Sequence, residues 1–336
     1  MAAPSDAPSG PVLITGVAGF IGSHVAEAFL AKGRRVIGVD SLDPFYAESI
    51  KRRNLAHVEA AANAQGPDRF EFVLADIRDA DAMREVFGSR RPETAVHLAA
   101  RAGVRPSIAQ PALYADVNVR GTSTILEAAR LAGCPRVLLA SSSSVYGNSS
   151  RVPFSEDDTA LEPISPYAAT KRACELLAHT WHHLYGTRIA CLRFFTAYGP
   201  RQRPDLAIQK FLALLQRGEP LPVFGDGTMS RDFTYIADIA EGVLAGERAI
   251  DRFGLRTWNL GGHRPVSVNG LIAAIERVTG LTAAIDRRPL QPGDVDRTCA
   301  DPARSREELG FEPRTPLEEG LAAQWRAVEP HARSHA

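Results

Sequence analysis

The feature that most constrains the fold is a regular alternation of short apolar runs with longer helical patterns over the first 196 residues. The apolar runs have the length and the β-branched content of buried strands. Strands that alternate with helices predict βαβ units, and therefore a parallel sheet with helices on both faces. The predicted strands are PVLIT (11–15), RVIGVD (35–40), FEFVLAD (70–76), TAVHLA (94–99), RVLLAS (136–141) and RIACLRFF (188–195).

This alternation loosens after about residue 196, where loops rich in proline and glycine separate the predicted helices. We predict an α/β protein with a Rossmann-type, doubly wound parallel sheet at residues 11–196, to which a segment near 234–262 returns. Residues 197–233 and 263–330 are expected to form a smaller α/β lobe, and residues 1–10, rich in Pro, Ser and Ala, a disordered tail. Helices after residue 196 are expected near 206–217, 235–249, 267–279, 302–309 and 316–328.

Balanced charge limits the possible partners of the chain. Among 336 residues, Lys and Arg number 39 and Asp and Glu also number 39, so no excess of positive charge favours nucleic acid or an anionic membrane. No apolar run approaches the ~20 residues of a membrane span, and the N-terminal stretch MAAPSDAPSG lacks the features of a signal peptide. The short basic run at residues 51–53 is predicted to be a solvated helix face.

The cysteines and histidines show no pattern typical of a metal site. The four cysteines are far apart and none belongs to a C-x-x-C motif, so reduced thiols in a cytoplasmic protein are expected. His179 and His183 are four residues apart in a predicted helix, but no third ligand lies near them in the sequence. We therefore expect no bound metal.

A glycine pattern directly follows the first predicted strand, in TGVAGFIGSH. In such a pattern Gly16 makes a tight turn, Gly19 lets the backbone approach a pyrophosphate, and Gly22 allows the helix to pack against the strand. The phosphates then lie on free N–H groups at the start of the helix, which also contains Phe20 and Ile21. The stretch predicts a dinucleotide site.

Two aspartates end the next two predicted strands. Asp40 lies 24 residues after Gly16, where a carboxylate can bind both ribose hydroxyls and repels a 2′-phosphate. The next residue is Ser41 rather than an arginine, so NAD is favoured over NADP. Asp76 is suited to the adenine edge; as an alternative, it caps the helix that follows it.

Ser142, Tyr167 and Lys171 form the predicted reacting group. Ser142 directly follows the fifth predicted strand, and YAATK places Tyr167 and Lys171 four residues apart on one face of a helix. The ammonium of Lys171 favours the phenolate form of the tyrosine, which can then act as a general base. This spacing alone is common, but after a Rossmann half and a serine at a strand end it indicates catalysis.

Together these stretches resemble the extended short-chain dehydrogenase/reductase family, in particular its nucleotide-sugar epimerase and dehydratase branch. The resemblance extends from residue 11 to about 328 and lies in TGVAGFIGSH, VHLAA, NVRGT, SSSSVYG, YAATK, RFFTAYGP, RDFTYIADIA, WNLGG and QPGDVDRTCAD. It implies NAD as the cofactor and a sugar nucleotide as the ligand of the smaller lobe. The implied cofactor contacts are Gly16, Gly19, Phe20, Ile21, Gly22, Asp40, Asp76, Ile77, Leu98, Ala99, Ala100, Asn118, Tyr167 and Lys171.

The resemblance also implies the roles of the reacting group. Tyr167 would take the proton of the sugar 4-hydroxyl, Ser142 would hydrogen-bond the same oxygen, and Lys171 would order the cofactor ribose. Dehydratases of this branch have Asp and Glu directly after the catalytic Thr, and UDP-glucuronate decarboxylases usually keep a Glu two residues after it. Here Ser143 and Ser144 stand at these positions, where they are expected to contact the sugar. The resemblance therefore implies that the keto sugar is reduced again, as in an epimerase.

The stretch RFFTAYGPRQRPD resembles the UDP-glucuronate 4-epimerases within the branch. Thr196 stands where many members have Asn, and Thr196 with Arg203 would bind the C5 carboxylate, since a guanidinium matches a carboxylate with two parallel bonds. GVRPS, with Arg105, fits the same group. Arg231 is implied as a diphosphate contact and Asp294 as a contact of the uridine ribose.

Several alternatives remain open at this point. Arg201 and Arg203 could instead cover a loop or contact phosphate. The substrate could be a neutral UDP-hexose or UDP-N-acetylhexosamine, and Gln291 leaves the base uncertain. A UDP-glucuronate decarboxylase and an inactive NAD-binding scaffold are further alternatives.

The family commonly forms dimers in which two helices of each subunit pack into a four-helix bundle. The candidate helices here are residues 113–132 and 166–185, both with apolar periodicity. The resemblance thus implies a homodimer in the cytoplasm.

Overall fold

The computed structural model describes residues 9–158, 162–290 and 295–328, and a seven-stranded sheet is its largest element. The strands are β1 (Val12–Thr15), β2 (Val36–Asp40), β3 (Phe70–Leu74), β4 (Thr94–His97), β5 (Arg136–Ser142), β6 (Arg188–Phe194), β7 (Thr196–Tyr198), β8 (Leu221–Phe224), β9 (Ser230–Tyr235), β10 (Leu255–Leu260), β11 (Pro265–Ser267) and β12 (Ile285–Arg288).

The α-helices alternate with the strands in the first half of the chain and also occur throughout the second half. They are α1 (Phe20–Ala31), α2 (Glu48–Asn63), α3 (Ala80–Arg90), α4 (Val104–Ala109), α5 (Pro111–Tyr114), α6 (Gly121–Leu131), α7 (Pro166–Tyr185), α8 (Ala207–Gln216), α9 (Ile236–Ala249), α10 (Val268–Thr279), α11 (Ala303–Leu309) and α12 (Leu317–Val328). A π-helical segment (Ala115–Arg120) joins α5 to α6, and a 3₁₀ turn (Ser143–Tyr146) follows β5.

The large sheet has the order β10-β6-β5-β4-β1-β2-β3, and every neighbouring pair is parallel. The strand order reverses between β1 and β4, which leaves a crevice at the carboxyl ends of these strands. The six predicted strands are all present, with ends within two residues of those expected. The doubly wound α/β fold is therefore confirmed.

Apolar side chains fill both faces of the large sheet. On one face Phe29 of α1 and Val243 of α9 pack with Trp258, all at most 1% exposed. On the other face α3, α6 and α7 pack through residues such as Phe87 and Ile125, both fully buried. Burial of each such side chain contributes about 1.5–3 kcal/mol, so these two layers hold the sheet that positions the crevice.

The segment after β6 leaves the large sheet and then returns to it. β7 pairs with β9 in a three-stranded sheet of order β11-β9-β7, and β8 pairs with β12. A separate apolar cluster from α8, α10 and α12 covers these small sheets. Between β9 and β11 the chain returns to the large sheet through α9, which packs on α1, and β10, which pairs with β6 at the edge of that sheet.

Several details differ from what the sequence predicts. The helix expected at 113–132, for example, is divided into α5, the π-helical segment and α6. Residues 221–224 form β8, although the sequence predicts a loop there. A strand of four residues between glycine and proline is too short to show the alternation of apolar and polar residues that predicts a strand. Lys51 is only 7% exposed, so the prediction of a solvated face at residues 51–53 is wrong for this residue. Across the described ranges, no helix combines the length and the apolar character needed to cross a bilayer.

Candidate functional site

A cleft of about 490 Å³ opens at the carboxyl ends of the parallel strands and extends to residues of β7 and β9. Most residues predicted from the sequence line it together. They are Gly16, Gly19, Phe20, Ile21, Gly22, Asp40, Asp76, Ile77, Leu98, Ala99, Ala100, Ser142, Ser143, Ser144, Tyr167, Lys171, Thr196, Arg203 and Arg231. Asn118 and Arg105 are not among the lining residues. Asp294 and the neighbouring Gln291 lie outside the described residues.

The glycine loop forms a cradle that no larger residue can replace. Gly16 has φ +74°, and a Cβ atom there would lie 2.8 Å from the backbone N of Ala99. A Cβ atom on Gly22 would lie 2.0 Å from the carbonyl oxygen of Gly16. Gly19 is the N-cap residue of α1 and has no side chain to cap it, so the first N–H groups of the helix are open for an anion. The loop therefore fits the pyrophosphate of a dinucleotide.

The carboxylate of Asp40 is held at the end of β2 beside this loop. It accepts hydrogen bonds from the backbone N–H of Ala18, at 3.1 Å, and of Leu42, at 2.8 Å. The Nζ atom of Lys51 lies 3.7 Å from it. This arrangement fits a ribose, whose hydroxyls can donate to the carboxylate. Lys51 was missed, although its helical spacing to Leu55 indicates the buried face of α2.

Asp76 lies in the same cleft but does not cap a helix. Its carboxylate accepts hydrogen bonds from Arg78, which hold the pKa of the Asp76 carboxyl below its usual value. The N-cap of α3 is Asp79, whose side chain accepts from the backbone N–H of Asp81 and Ala82. The alternative that Asp76 is the helix cap is therefore wrong.

The reacting group meets at the junction of β5 and α7. Ser142 is the last residue of β5, and its Oγ accepts a hydrogen bond from the backbone N–H of Ser144 at 3.1 Å. Lys171 is 6% exposed and donates from Nζ to the carbonyl of Ala140 at 2.8 Å. The ring of Tyr167 lies edge-on to that of Tyr114, with centroids 6.3 Å apart. All three residues of the reacting group line the cleft.

Arg203 enters the cleft from the smaller lobe. Its Nε and Nη2 donate to the two carboxylate oxygens of Asp205 at 2.9 and 2.6 Å, and its guanidinium lies 5.3 Å from the ring centroid of Phe45. Thr196, Ser143 and Ser144 line the cleft as well. The cleft that holds the reacting group is therefore also lined by a cation and by three residues that carry hydroxyls.

Three further predicted residues lie elsewhere. Arg201 forms a bidentate pair with Glu27 of α1, with both distances 2.6 Å, so it does not share the position of Arg203. The guanidinium of Arg105 stacks on the ring of Phe224 at 4.4 Å. Asn118 is buried and exchanges hydrogen bonds with the backbone of Arg101, which fixes the segment after β4.

The sequence did not indicate several other lining residues. Phe45 and Tyr46 belong to the loop after β2, and Arg101 pairs with Asp43 of that loop at 3.1 Å. Their only sequence signal is their place just after a strand end, since the carboxyl ends of parallel strands face the crevice. Within the parts of the chain described, no group of three or more His, Cys, Asp or Glu side chains could hold a metal ion.

A scan against protein-family models matches residues 13–324 to the family described as GDP-mannose 4,6-dehydratase. Among curated proteins, the UDP-glucuronate 4-epimerase of Thermodesulfobacterium geofontis is 42% identical over 313 residues, which cover 93% of this chain and 94% of that protein. The match therefore spans the glycine loop, the reacting group and the smaller lobe.

Solved structures with the same fold include two epimerases. UDP-glucuronic acid 4-epimerase from Bacillus cereus, in complex with UDP-glucuronic acid and NAD, has a TM-score of 0.85 and 33% identity, and covers 96% of this chain and 99% of its own. UDP-glucose 4-epimerase from Thermotoga maritima, with UDP-glucose, has a TM-score of 0.84 and 30% identity, with the same coverage of both chains.

Proposed function

Since the chain belongs to the NAD-dependent epimerase and dehydratase family, which includes GDP-mannose 4,6-dehydratase, we propose that it is a UDP-glucuronate 4-epimerase. It would interconvert UDP-glucuronate and UDP-galacturonate through a transient 4-keto sugar. The observation that carries the proposal is that Ser142, Tyr167 and Lys171 line the same cleft as the glycine loop and Arg203.

The cofactor we propose is NAD, held by the glycine loop, Asp40, Asp76 and the residues after β4. When bound, NAD provides the nicotinamide that accepts a hydride from C4 of the sugar and returns it to the opposite face of the sugar at the same carbon. The open N–H groups at the start of α1 would bind its pyrophosphate, and Asp40 its adenosine ribose. Because the Asp40 carboxylate repels a 2′-phosphate, NADP would bind more weakly.

Acid–base chemistry at the 4-oxygen falls to the side chains of this chain. Tyr167 would remove the proton of the 4-hydroxyl as the ketone forms and give it back after the sugar has turned. Ser142 would donate a hydrogen bond to the same oxygen and stabilise its developing charge. Lys171 would bind the nicotinamide ribose with protons not used on Ala140 and would stabilise the phenolate.

The side chains near the sugar favour epimerisation over elimination. A dehydratase of this family must move a C5 proton, and the carboxylates that do so in the dehydratases are replaced here by Ser143 and Ser144. A hydroxyl is too weak a base for that step. The keto sugar would therefore be reduced again, although the family model takes its description from a dehydratase.

A carboxylate on the sugar explains the cation in the cleft. We propose that Thr196 and Arg203 bind the C5 carboxylate, with Arg203 kept in place by Asp205. A 4-keto uronate is a β-keto acid and loses CO₂ when the breaking bond aligns with the carbonyl π system. A carboxylate clamped in another orientation keeps its CO₂, which separates this reaction from decarboxylation.

Other parts of the proposal concern the nucleotide and the assembly. Arg231 is proposed for the diphosphate and Asp294 for the uridine ribose of the substrate, and residues 197–233 and 263–330 are proposed as the lobe that carries it. A homodimer through the helices at 113–132 and 166–185 is supported by exposed apolar side chains on α6 and α7, namely Leu131, Leu176, Leu184 and Tyr185. The cysteines are free and buried, which supports a cytoplasmic location.

The direct experiment incubates purified protein and NAD separately with UDP-glucuronate, UDP-glucose and UDP-N-acetylglucosamine, and separates the products by chromatography. We expect UDP-galacturonate from UDP-glucuronate only. Tyr167→Phe should bind NAD but lose at least about 100-fold in turnover, since it removes the general base. Turnover of only the neutral sugars, or release of CO₂ with a UDP-pentose, would contradict the proposal.

A further inference from the structure

A buried carboxylate, Glu175, lies on the same face of α7 as the reacting side chains. Lys171 lies four residues after Tyr167 and Glu175 four residues after Lys171, and a spacing of four keeps neighbouring side chains on one side of a helix. The Glu175 side chain is only 4% exposed and does not line the cleft. It therefore faces the sheet, behind the reacting group.

Two consecutive residues of β5 are bonded to this face of α7. Lys171 donates from Nζ to the carbonyl of Ala140 at 2.8 Å, and Ser141 donates from Oγ to Oε1 of Glu175 at 2.6 Å. The next residue of the strand is Ser142. The helix that carries Tyr167 is thus fixed to the strand immediately before the serine that meets the same substrate oxygen.

Arg193 completes the contact from the neighbouring strand. It is the register partner of Ser141 in the β5–β6 pair, and its Nε and Nη2 donate to the two oxygens of Glu175 at 2.8 and 2.9 Å. Its Nη1 donates to the hydroxyl of Tyr146 at 2.8 Å, and this hydroxyl donates to Oδ1 of Asn259 at 2.7 Å. Ser141 precedes Ser142 and Tyr146 follows it, so the network holds the chain on both sides of Ser142.

An apolar contact could hold α7 against β5 at lower cost. Removing a carboxylate and a guanidinium from water is expensive, and a buried ion pair adds little net stability compared with well-packed apolar side chains. Burial raises the pKa of a carboxyl, but the hydrogen bonds and charge of Arg193 outweigh this, so the pKa of Glu175 lies below its usual value. The pair therefore stays charged, and its hydrogen bonds are directional. They fix the position of the helix more tightly than apolar contacts, along which the helix can slide.

We propose that Glu175 is a positioning residue that, through Ser141 and Arg193, sets the register of α7 against β5 and so the placement of Tyr167 relative to Ser142. The inference rests on the proposed function, because it concerns the geometry of that reaction. A misplacement of about 1 Å in such a site can lower the rate about 100-fold.

The test measures kcat and KM for UDP-glucuronate in Ser141→Ala and Glu175→Gln. We expect kcat to fall about 10- to 100-fold, while KM and the dissociation constant of NAD stay within about threefold, because the binding groups remain in place. Ser141→Thr, which keeps the hydroxyl, should recover kcat to within about threefold. Arg172→Met is the matched control: Arg172 contacts Glu175 from the exposed side, at 2.9 Å, and its loss should leave kcat unchanged.

Ser141 also lines the cleft, so a direct contact with the ligand must be separated from an action through Glu175. In the double variant Ser141→Ala/Glu175→Gln, action through one network predicts a loss in kcat no larger than that of the more damaging single variant. Losses that multiply, or a rise in KM in place of a fall in kcat, would overturn the inference. Glu175→Gln could fail to fold; Ser141→Ala deletes one oxygen atom, and a wild-type kcat in it would overturn the inference by itself.

The two levels of the proposal fail in different ways. If the wild type converts no sugar nucleotide, the proposed function is wrong. If the wild type epimerises UDP-glucuronate and both single variants keep its kcat, only the positioning role of Glu175 is wrong.

Discussion

Replacing Gly22 by alanine should strongly weaken the cofactor site without removing any charged group. The added Cβ atom would lie 2.0 Å from the carbonyl oxygen of Gly16, 2.7 Å from its carbonyl carbon and 3.0 Å from Cα of Val17. Real Cβ atoms essentially never come within 3.0 Å of another atom, so the start of α1 must move away from the loop by at least about 1 Å. Every close atom belongs to the backbone, so no side-chain rotation can relieve the clash.

The shift can be converted into an expected loss of affinity. A movement of about 1 Å breaks hydrogen bonds between the N–H groups of α1 and a pyrophosphate, and each bond to a charged group contributes about 1.5–3 kcal/mol. Losing two of them weakens NAD binding by about 3–6 kcal/mol, which is at least about 100-fold. The clash itself should cost about 1–3 kcal/mol of folding stability.

The assay is calorimetric titration of NAD into the Gly22→Ala protein, together with its melting temperature with and without NAD. The matched control is Gly88→Ala, because Gly88 is exposed on α3 and a Cβ atom there meets nothing within 4 Å. This control should bind NAD like the wild type and gain about 0.5–1 kcal/mol of stability. A Gly22→Ala protein that binds NAD within threefold of the wild type would refute the reasoning.

Two further predictions concern the substrate and pH. Arg203→Met should lower kcat/KM for UDP-glucuronate about 10- to 100-fold, because it removes a charged hydrogen-bond donor. The control Arg217→Met, at the exposed end of α8, should leave kcat/KM unchanged. Equal losses of kcat/KM in the two variants, measured in steady-state assays, would contradict the role of Arg203. Burial, with the charge of Arg201, lowers the pKa of His24 to about 4, and burial, with the charge of Lys171, lowers that of His97 to about 3. Since the unfolded chain binds their protons from about pH 6.5 downward, each should reduce the free energy of unfolding by about 1.4 kcal/mol per pH unit between about pH 6 and 5. The free energy of unfolding of His97→Gln, measured by urea denaturation at several pH values, should depend less steeply on pH by that amount. An unchanged dependence on pH would show that His97 is protonated in the folded protein.

Much of the fold follows from the sequence because each of the six predicted strands is short, mainly apolar and bounded by polar residues or glycine. β1 is buried along its whole length and leads directly into the glycine loop, so its position and direction are fixed by local signals. The same holds for β5, whose end carries Ser142. Residues placed at strand ends meet in one cleft because the strands are parallel, so the spatial cluster could be predicted without knowing any distance.

Other contacts depend on partners that are remote in the sequence. Glu175 and Arg193 are charged residues inside the protein, and general rules place such residues at the surface unless a partner is known. Arg201 and Arg203 look equivalent in the sequence, yet Arg201 turns away to Glu27 of α1. Lys51 is buried beside Asp40 for the same reason. Pairing between distant segments decides these positions, and a single sequence does not reveal it.

The central claim is that the hydrogen at C4 leaves the sugar and returns to the same carbon. It is tested by incubating the protein and NAD with UDP-glucuronate that carries deuterium at C4, and by analysing the product by NMR and mass spectrometry. The account predicts UDP-galacturonate that keeps its deuterium at C4, with little release into water. Loss of the deuterium to solvent, or a product epimerised at another carbon, would contradict it.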